Sequence, residues 1–445
     1  MNPSIIIWSI VSALAGFLFG FDTVVISGAE KTIQTLWGLG PGLHGVAMAA
    51  ALYGTVLGAM CGGWLTDWLG RKPTLFWIGI LYFVSAVWSG LAPDVWSFVV
   101  ARFIGGLGVG ISTVASPLYI SEIAPPAARG RLTGLFQFNI VLGILAAFLS
   151  NYLLEGVHDD WRWMLGAEAF PAFIYTLACL AIPESPRWLL AHGDQEKHAQ
   201  AIAILGRIEP HASSQQLQAT AARIVEATRS NELSAGGSIS TSLADLRRPI
   251  LLAFLIACFN QLSGINAILY FAPRIFEMAG LGEKSALLQS IGIGVTNLIF
   301  TFVGLWLIDR LGRRTLMIIG SIGYIVSLGL CAWAFATGHD AIVPACIFGF
   351  IAAHAVGQGA VIWVFIAEIF PGRFRATGQA IGCTTHWVLA ALLTTIFPSL
   401  VVLVPPSGVF AFFCGMMVLQ LLWVLTMMPE TKGVPLEELA KRLRG

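Results

Sequence analysis

Asp67-Trp-Leu-Gly-Arg-Lys72 recurs 242 positions later as Asp309-Arg-Leu-Gly-Arg-Arg314. The repeat widens on either side. Glu122 with Arg129 answers Glu368 with Arg375, 246 positions on, and Pro183-Glu-Ser-Pro186 answers Pro429-Glu-Thr431. Motifs that return in the same order at nearly one offset mean that the chain is built twice.

Between these motifs the chain is strongly apolar. Of 445 residues, 57% are hydrophobic and only 11% charged, with a mean hydropathy of +0.79. A soluble domain carries about 25% charged residues, so this chain cannot build a wetted surface. Its net charge of +1 points to no nucleic acid or acidic partner. Runs long enough to cross a bilayer core of about 30 Å lie near 5–29, 44–66, 73–93, 95–119, 131–154 and 162–182. Six more lie near 249–279, 285–308, 315–336, 341–367, 376–400 and 406–428. They are too long and too uniform for barrel strands, and backbone groups in lipid must be satisfied within their own segment, so the runs are helices. The fold expected is an all-α membrane protein of twelve spans. No basic stretch or small-residue cleavage pattern marks a signal peptide, so the first run is expected to stay as a helix.

Lys and Arg orient the spans. With the N-terminus cytoplasmic, only Lys31, Arg162, Arg274 and Lys284 face outward, and Arg102 lies within a helix. Both termini are then cytoplasmic, in a multi-pass protein of the cell (inner or plasma) membrane. The organisation expected is a first six-helix bundle over 1–184, a cytoplasmic helical linker over 185–247, a second bundle over 248–430 and a tail over 431–445. Within the linker, 194–207 and 213–230 show helical spacing, and Glu232–Ser242 is Ser/Gly-rich. Each repeated motif falls at the cytoplasmic end of a helix. Carboxylates and guanidiniums there can pair and latch neighbouring helices. The latch candidates are Asp67, Arg71, Glu122 and Arg129, with Asp309, Arg313, Glu368 and Arg375. Seven cysteines, all in apolar runs and none in a C-x-x-C pair, are read as packing residues.

Three ionisable residues stand well inside helices: Asp22, Arg102 and Glu168. Charges in that position are functional-site candidates by default. An Asp22–Arg102 pair would relieve both desolvation problems and would make a proton switch, because a carboxylate released from its guanidinium takes a proton more readily. Glu168 either relays or tunes that proton or sits solvated near the outer interface. Membrane-depth amides and aromatics form a second group: Gln137, Asn139, Asn260, Gln261, Asn266, Asn297, Trp363 and Trp387, with His386 beside Trp387. Amides both donate and accept, and aromatics offer a platform, which suits a ring of hydroxyls. Gly264 is a candidate break in the seventh helix. The spacing Gly106-x-Gly-x-Gly110 lies inside a membrane helix with no preceding strand, so it does not indicate a nucleotide site. No Ser/His/Asp set, metal cluster or P-loop suggests an enzyme, a metal or a cofactor.

Gly20-Phe-Asp-Thr23, Arg102-Phe-Ile-Gly-Gly106, Pro117-Leu-Tyr-Ile-Ser-Glu122, Pro183-Glu-Ser-Pro-Arg-Trp188, Gln261-Leu-Ser-Gly-Ile-Asn266, Asp309 to Arg314 and Pro429-Glu-Thr-Lys-Gly433 together resemble the sugar porter branch of the major facilitator superfamily. The resemblance spans nearly the whole chain. It implies two six-helix bundles around a midplane cavity and alternating-access transport of a monosaccharide by a monomer. It places the proton on the acid matching Asp22, which many facilitators replace by an amide. A Glu matching Glu168 occurs in the bacterial xylose–proton symporters. Positions matching Gln137, Asn260, Gln261, Asn266, Asn297 and Trp363 hold the hexose, while Tyr270 and Phe271 belong either to an outer gate or to core packing.

Several departures stand out. Asn260 replaces the first of two glutamines found in many glucose carriers. His386 stands where facilitators carry Asn, and Trp68 replaces a base of the first loop motif. The segment Gly357-Gln-Gly-Ala-Val-Ile-Trp363 lacks the facilitators' prolines, which puts the bend of the tenth helix in question. Ile144, where the xylose symporters have Gln, leans toward glucose, whereas Leu269 matches the xylose carriers. The function expected is proton-coupled symport of a monosaccharide, glucose by preference; a proton-independent carrier and a membrane sugar sensor are the rival readings.

Overall fold

The computed structural model describes residues 2–125, 128–192, 195–236, 246–370 and 374–434. The stretch 237–245, the tail from 435 onward and the side chain of Arg375 lie outside that description. The first half comprises α1 (Pro3–Leu36), α2 (Pro41–Leu69), α3 (Arg71–Leu91), α4 (Val95–Ile123), α5 (Arg129–Leu154) and a sixth span in two pieces, α6 (Asp160–Gly166) and α7 (Ala169–Ala181). Three short helices follow: α8 (Pro186–Ala191), α9 (Gln195–Ile208) and α10 (Ser214–Gly236). The second half comprises α11 (Arg247–Leu262), α12 (Ile265–Tyr270), α13 (Ala272–Met278), α14 (Glu283–Leu311), α15 (Arg313–Thr337), α16 (Val343–Val356), α17 (Gln358–Ile369), α18 (Arg375–Leu403) and α19 (Pro406–Thr426). Among the described residues, twelve spans are long and apolar enough to cross a membrane. Helix α10 continues to Gly236, past the point where the composition suggested a linker.

The surface is inverted relative to a soluble protein. Phe170 is 74% exposed and Leu403 80%, while Arg102 is 1% exposed. Lipid gives helices no hydrophobic reason to associate, so they associate where backbones approach closely. A Cβ on Gly20 would lie 1.9 Å from the Ile140 carbonyl oxygen of α5, and one on Gly106 1.8 Å from that of Ala51 on α2. These glycines seat α1 on α5 and α4 on α2. The halves meet along α2 against α18 and α5 against α14.

The face that carries α8 to α10 is called here the basic face, and the opposite one the far face. At the basic face the duplicated motif folds into the same knot twice. Arg71 donates from Nε and Nη2 to Glu122 at 2.9 and 2.8 Å, and from Nη1 to Asp67 at 2.9 Å. Arg313 donates to Glu368 at 3.1 and 2.8 Å and to Asp309 at 3.3 Å. Gly70 and Gly312 turn the chain with φ of 99° and 89°, a region that L side chains avoid. The absent side chain admits a carboxylate: Glu184 accepts from the Arg71 and Lys72 backbone N–H groups, and Glu430 from those of Arg313 and Arg314. Each therefore neutralises the N-terminus of the next helix. Burial pushes the Glu184 carboxyl up from its ordinary range, against the N–H groups that hold it down.

Three spans are interrupted. The sixth breaks at Ala167–Glu168 and the tenth at Gly357. The seventh breaks at Ser263–Gly264, where Gly264 takes φ 86°, and again at Phe271. The absence of prolines does not straighten the tenth helix. Gly357 packs so close to Gly320 that a Cβ would lie 2.9 Å from its Cα, and a glycine–glycine contact makes the bend instead.

Candidate functional site

Asp22 lies on α1 and Arg102 on α4, both 1% exposed. Arg102 Nη1 donates to Asp22 Oδ1 at 2.5 Å, and Nη2 donates to the Asp22 backbone oxygen at 2.9 Å. Glu168 has Asp22 and Arg102 as its electrostatic neighbours. It is 1% exposed, which removes the solvated alternative, and neither of its carboxylate oxygens has a hydrogen-bond partner. The break between α6 and α7 places it there. Tyr270 on α12 also faces Arg102 and Asp22, so the second half reaches the charged centre of the first.

The amides gather in the second half. Gln261 Nε2 donates to Asn260 Oδ1 at 3.0 Å and lies 3.2 Å from a His386 ring nitrogen, while Asn266 donates to Gln261 Oε1 at 2.8 Å. His386 packs at 5.2 Å from the Trp363 ring and 4.7 Å from the Trp387 ring. Trp387 in turn meets Phe19 of the first half at 5.6 Å. Asn260 Nδ2 lies 3.4 Å from Gln358 Oε1, Gln358 donates to Gln420 at 2.8 Å, and Gln420 donates to Ser321 at 2.8 Å. The amides thus satisfy one another, and an entering polyol must exchange hydrogen bonds with groups already paired. Among the described residues no hydrogen bond draws Gln137 or Asn297 into this cluster: Gln137 is half-buried, and Asn297 accepts a long contact from Thr301 at 3.5 Å. Asn139 donates to Leu135 O within its own helix, a structural role. His354 pairs with Tyr324 at 2.6 Å.

The far face is shut. Arg274 on α13 reaches Glu30 on α1 at 3.1 Å and also donates to Gln34. Lys31 meets Glu277 at 2.9 Å and Lys284 meets Glu155 at 3.4 Å. Each of these pairs joins one half to the other. Beneath them Phe271 is fully buried, stacked on Phe397 at 4.9 Å and edge-on to His44. Tyr270 and Phe271 follow the amide cluster toward the far face, whereas Gly264 lies within it, between Gln261 and Asn266 and against Phe413.

The basic-face residues take a different pattern from the sequence pairing. Arg71, not Arg129, holds Glu122, and Arg313 holds Glu368. Arg129 Nε is buried with no hydrogen-bond partner among the described residues. Glu30, His44, Gln358 and Gln420 were missed. Glu30 and His44 flank the ends of apolar runs, where a polar residue reads as solvated; Gln358 and Gln420 carry no motif. Among the described residues no group of three or more His, Cys, Asp or Glu is placed to hold a metal ion.

Residues 8–443 match the family described as "Sugar (and other) transporter". The arabinose-proton symporter of Bacillus subtilis is 35% identical over 98% of this chain and 94% of its own length. The D-xylose-proton symporter of Escherichia coli is 33% identical over 97% and 94%, and the glucose transporter GlcP of Staphylococcus epidermidis 33% identical over 98% and 96%. Among solved structures, the partially occluded inward-open xylose transporter XylE of E. coli superposes with a TM-score of 0.85 at 30% identity, covering 97% of this chain and 99% of that one. XylE bound to 6-bromo-6-deoxy-D-glucose gives 0.78 at 31% identity, with both chains fully covered.

Proposed function

Because this chain belongs to the sugar porter family of the major facilitator superfamily, we propose that it is a proton-coupled monosaccharide symporter, with glucose the first substrate to test. The carrying observation is α12. Six residues long and bounded by breaks, it holds Asn266 among the amides and Tyr270 against the Asp22–Arg102 pair. One short segment thus belongs to the amide cluster and lies within electrostatic reach of the charged pair.

Two carboxyls, Asp22 and Glu168, face one guanidinium. A buried uncompensated charge is costly, so proton and pair exchange for one another. With Asp22 paired to Arg102 the far face is shut. Protonation of Asp22 loosens the pair, frees α12 and favours the state open to the far face, taken from the positive-inside pattern as the outside. Sugar draws the amides of α11 and α12 onto its hydroxyls and closes the gate. Release of both at the basic face restores the pair. A membrane potential adds about 2.3 kcal/mol per charge per 100 mV to this cycle. The knots at the basic face hold each half together as it rocks, and the monomer suffices.

The test is uptake into proteoliposomes with an entrapped pH dye. Wild type acidifies the lumen on sugar addition and accumulates sugar uphill. Asp22→Asn keeps exchange between equal sugar concentrations but loses uphill accumulation. Uphill accumulation by Asp22→Asn would sink the mechanism, and a panel of hexoses and pentoses in the same assay fixes the substrate. Arabinose or xylose as the better substrate overturns the glucose assignment.

A further inference from the structure

We infer that Gln358, Gln420 and Ser321 are positioning residues for the sugar site, which fix the end of each amide that donates and the end that accepts. The inference rests on the sugar-carrier reading above and extends it to the groups behind the amides.

A side-chain amide has an oxygen that only accepts and a nitrogen that only donates, so a closed set of amides has two ways of pairing. In this chain one way is selected. The choice starts at a backbone carbonyl of α15, Met317 O, which cannot donate. Ser321 spends its single hydroxyl hydrogen there at 2.7 Å. Ser321 Oγ must then accept from its other neighbour, so Gln420 on α19 turns its nitrogen to it at 2.8 Å. That leaves Gln420 Oε1 facing Gln358 on α17, which donates at 2.8 Å. Gln358 Oε1 in turn faces Asn260 on α11, whose Nδ2 donates at 3.4 Å, the longest step. Asn260 Oδ1 accepts from Gln261 at 3.0 Å, and Gln261 Oε1 accepts from Asn266 on α12 at 2.8 Å. Every donor in the chain points the same way, from Asn266 toward α15.

Gln358, Gln420 and Ser321 are fully buried, whereas Asn266 is 8% exposed. The buried three therefore act behind the site. The chain occupies Asn266 Nδ2 and makes no use of Asn266 Oδ1, so the sugar meets an acceptor there and one of its hydroxyls donates. With the anchor gone the same amides pair equally well in reverse. Gln420 then donates to Gln358, Gln358 to Asn260, Asn260 to Gln261 and Gln261 to Asn266 Oδ1, and the sugar meets Asn266 Nδ2 instead. A donor facing a donor is costly in buried surroundings, so the chain turns as a whole. One hydroxyl on α15 thus sets the pattern of donors and acceptors that the sugar reads.

The test is displacement of labelled D-glucose from the full-length protein in detergent at fixed pH. The competitors are glucose analogues with one hydroxyl at a time replaced by fluorine, which accepts weakly but cannot donate, or by hydrogen, which does neither. D-xylose and its analogues take their place if the sugar panel selects the pentose. In wild type, at the hydroxyl that meets Asn266, fluorine weakens binding as much as hydrogen does, each about tenfold or more. In Ser321→Ala and in Gln420→Met the fluoro analogue binds there better than the deoxy analogue, by about threefold or more. Ser321→Thr, which keeps the hydroxyl, restores the wild-type pattern. A role in packing alone would lower the melting temperature, or the affinity for all analogues by a common factor, and leave the ratio of fluoro to deoxy unchanged. An unchanged ratio in both variants overturns the inference. So does a wild type in which every position tolerates fluorine better than hydrogen, since no acceptor then faces the sugar. Should Gln420→Met fail to fold, Ser321→Ala, which removes one oxygen, decides alone. A wild type that binds no sugar of the panel refutes the sugar-carrier reading and this inference with it, whereas an unchanged ratio in a protein that binds sugar refutes this inference alone.

Discussion

At the basic face the two halves are nearly superimposable in chemistry. Arg71 grips Glu122 with two hydrogen bonds and Arg313 grips Glu368 with two, each beneath a left-handed glycine capped by a glutamate from the end of its own half. Deeper in the membrane the match ends. The first half holds Asp22, Arg102 and Glu168; the second holds Asn260, Gln261, Asn266, Gln358 and Gln420. Duplication preserved what both halves need, a rigid end. It divided what they need differently. A charge couples to a proton and a potential, and must be paired at every step. An amide couples to hydroxyls and can be satisfied by another amide while it waits.

The largest test of this division removes a charge from the first half. Arg102→Gln leaves two buried carboxyls without their cation, a loss of about 3–5 kcal/mol. The solubilised protein should melt at a markedly lower temperature, with Asp22→Asn/Arg102→Gln recovering most of the loss. A normal melting temperature for Arg102→Gln would break the comparison. The next effect belongs to the second half. Gln261→Ala removes hydrogen bonds to Asn260, His386 and Asn266, and sugar affinity should fall about tenfold to a hundredfold, or about 1.4–3 kcal/mol. Protons carried per sugar should stay the same, and a changed ratio would show that the halves do not divide the labour. The smallest effect sharpens the likeness of the ends. Asp67 and Asp309 are 63% and 83% exposed. Asp67→Asn and Asp309→Asn should each shift stability by less than about 1 kcal/mol, well below Glu122→Gln or Glu368→Gln in the same melting assay.

The duplicated architecture was legible because lipid imposes long apolar runs and because basic residues accumulate on one face. Asp22, Arg102 and Glu168 were legible for the same reason: an ionisable residue in an apolar run has few uses. The break at Gly264 followed from a glycine amid polar neighbours. Other features depend on contacts between distant positions. The pairing of Arg71 with Glu122 rather than with Asp67 alone needs the α3–α4 geometry. The bend at Gly357 needs Gly320 opposite it, and neither glycine is distinctive alone. Glu30 and His44 sit fourteen positions apart across a tight turn, and the other half covers them: Arg274 of α13 reaches Glu30, while Phe271 and α18 pack beside His44.

Gly357 bends the tenth span while keeping its hydrogen bonds: its N–H still reaches the Ala353 carbonyl at 3.0 Å, and its own carbonyl still receives Val361 N–H at 3.1 Å. A proline elbow lacks one of those donors and has a fixed torsion. The glycine version is a bearing rather than an elbow. It has no built-in stop, so its range of travel is set by the walls, Gly320 on one side and the Gln358–Gln420 contact on the other. In this chain, then, the position of α17 and of Trp363 upon it is set from α15 and α19, through Gly320 and Gln420.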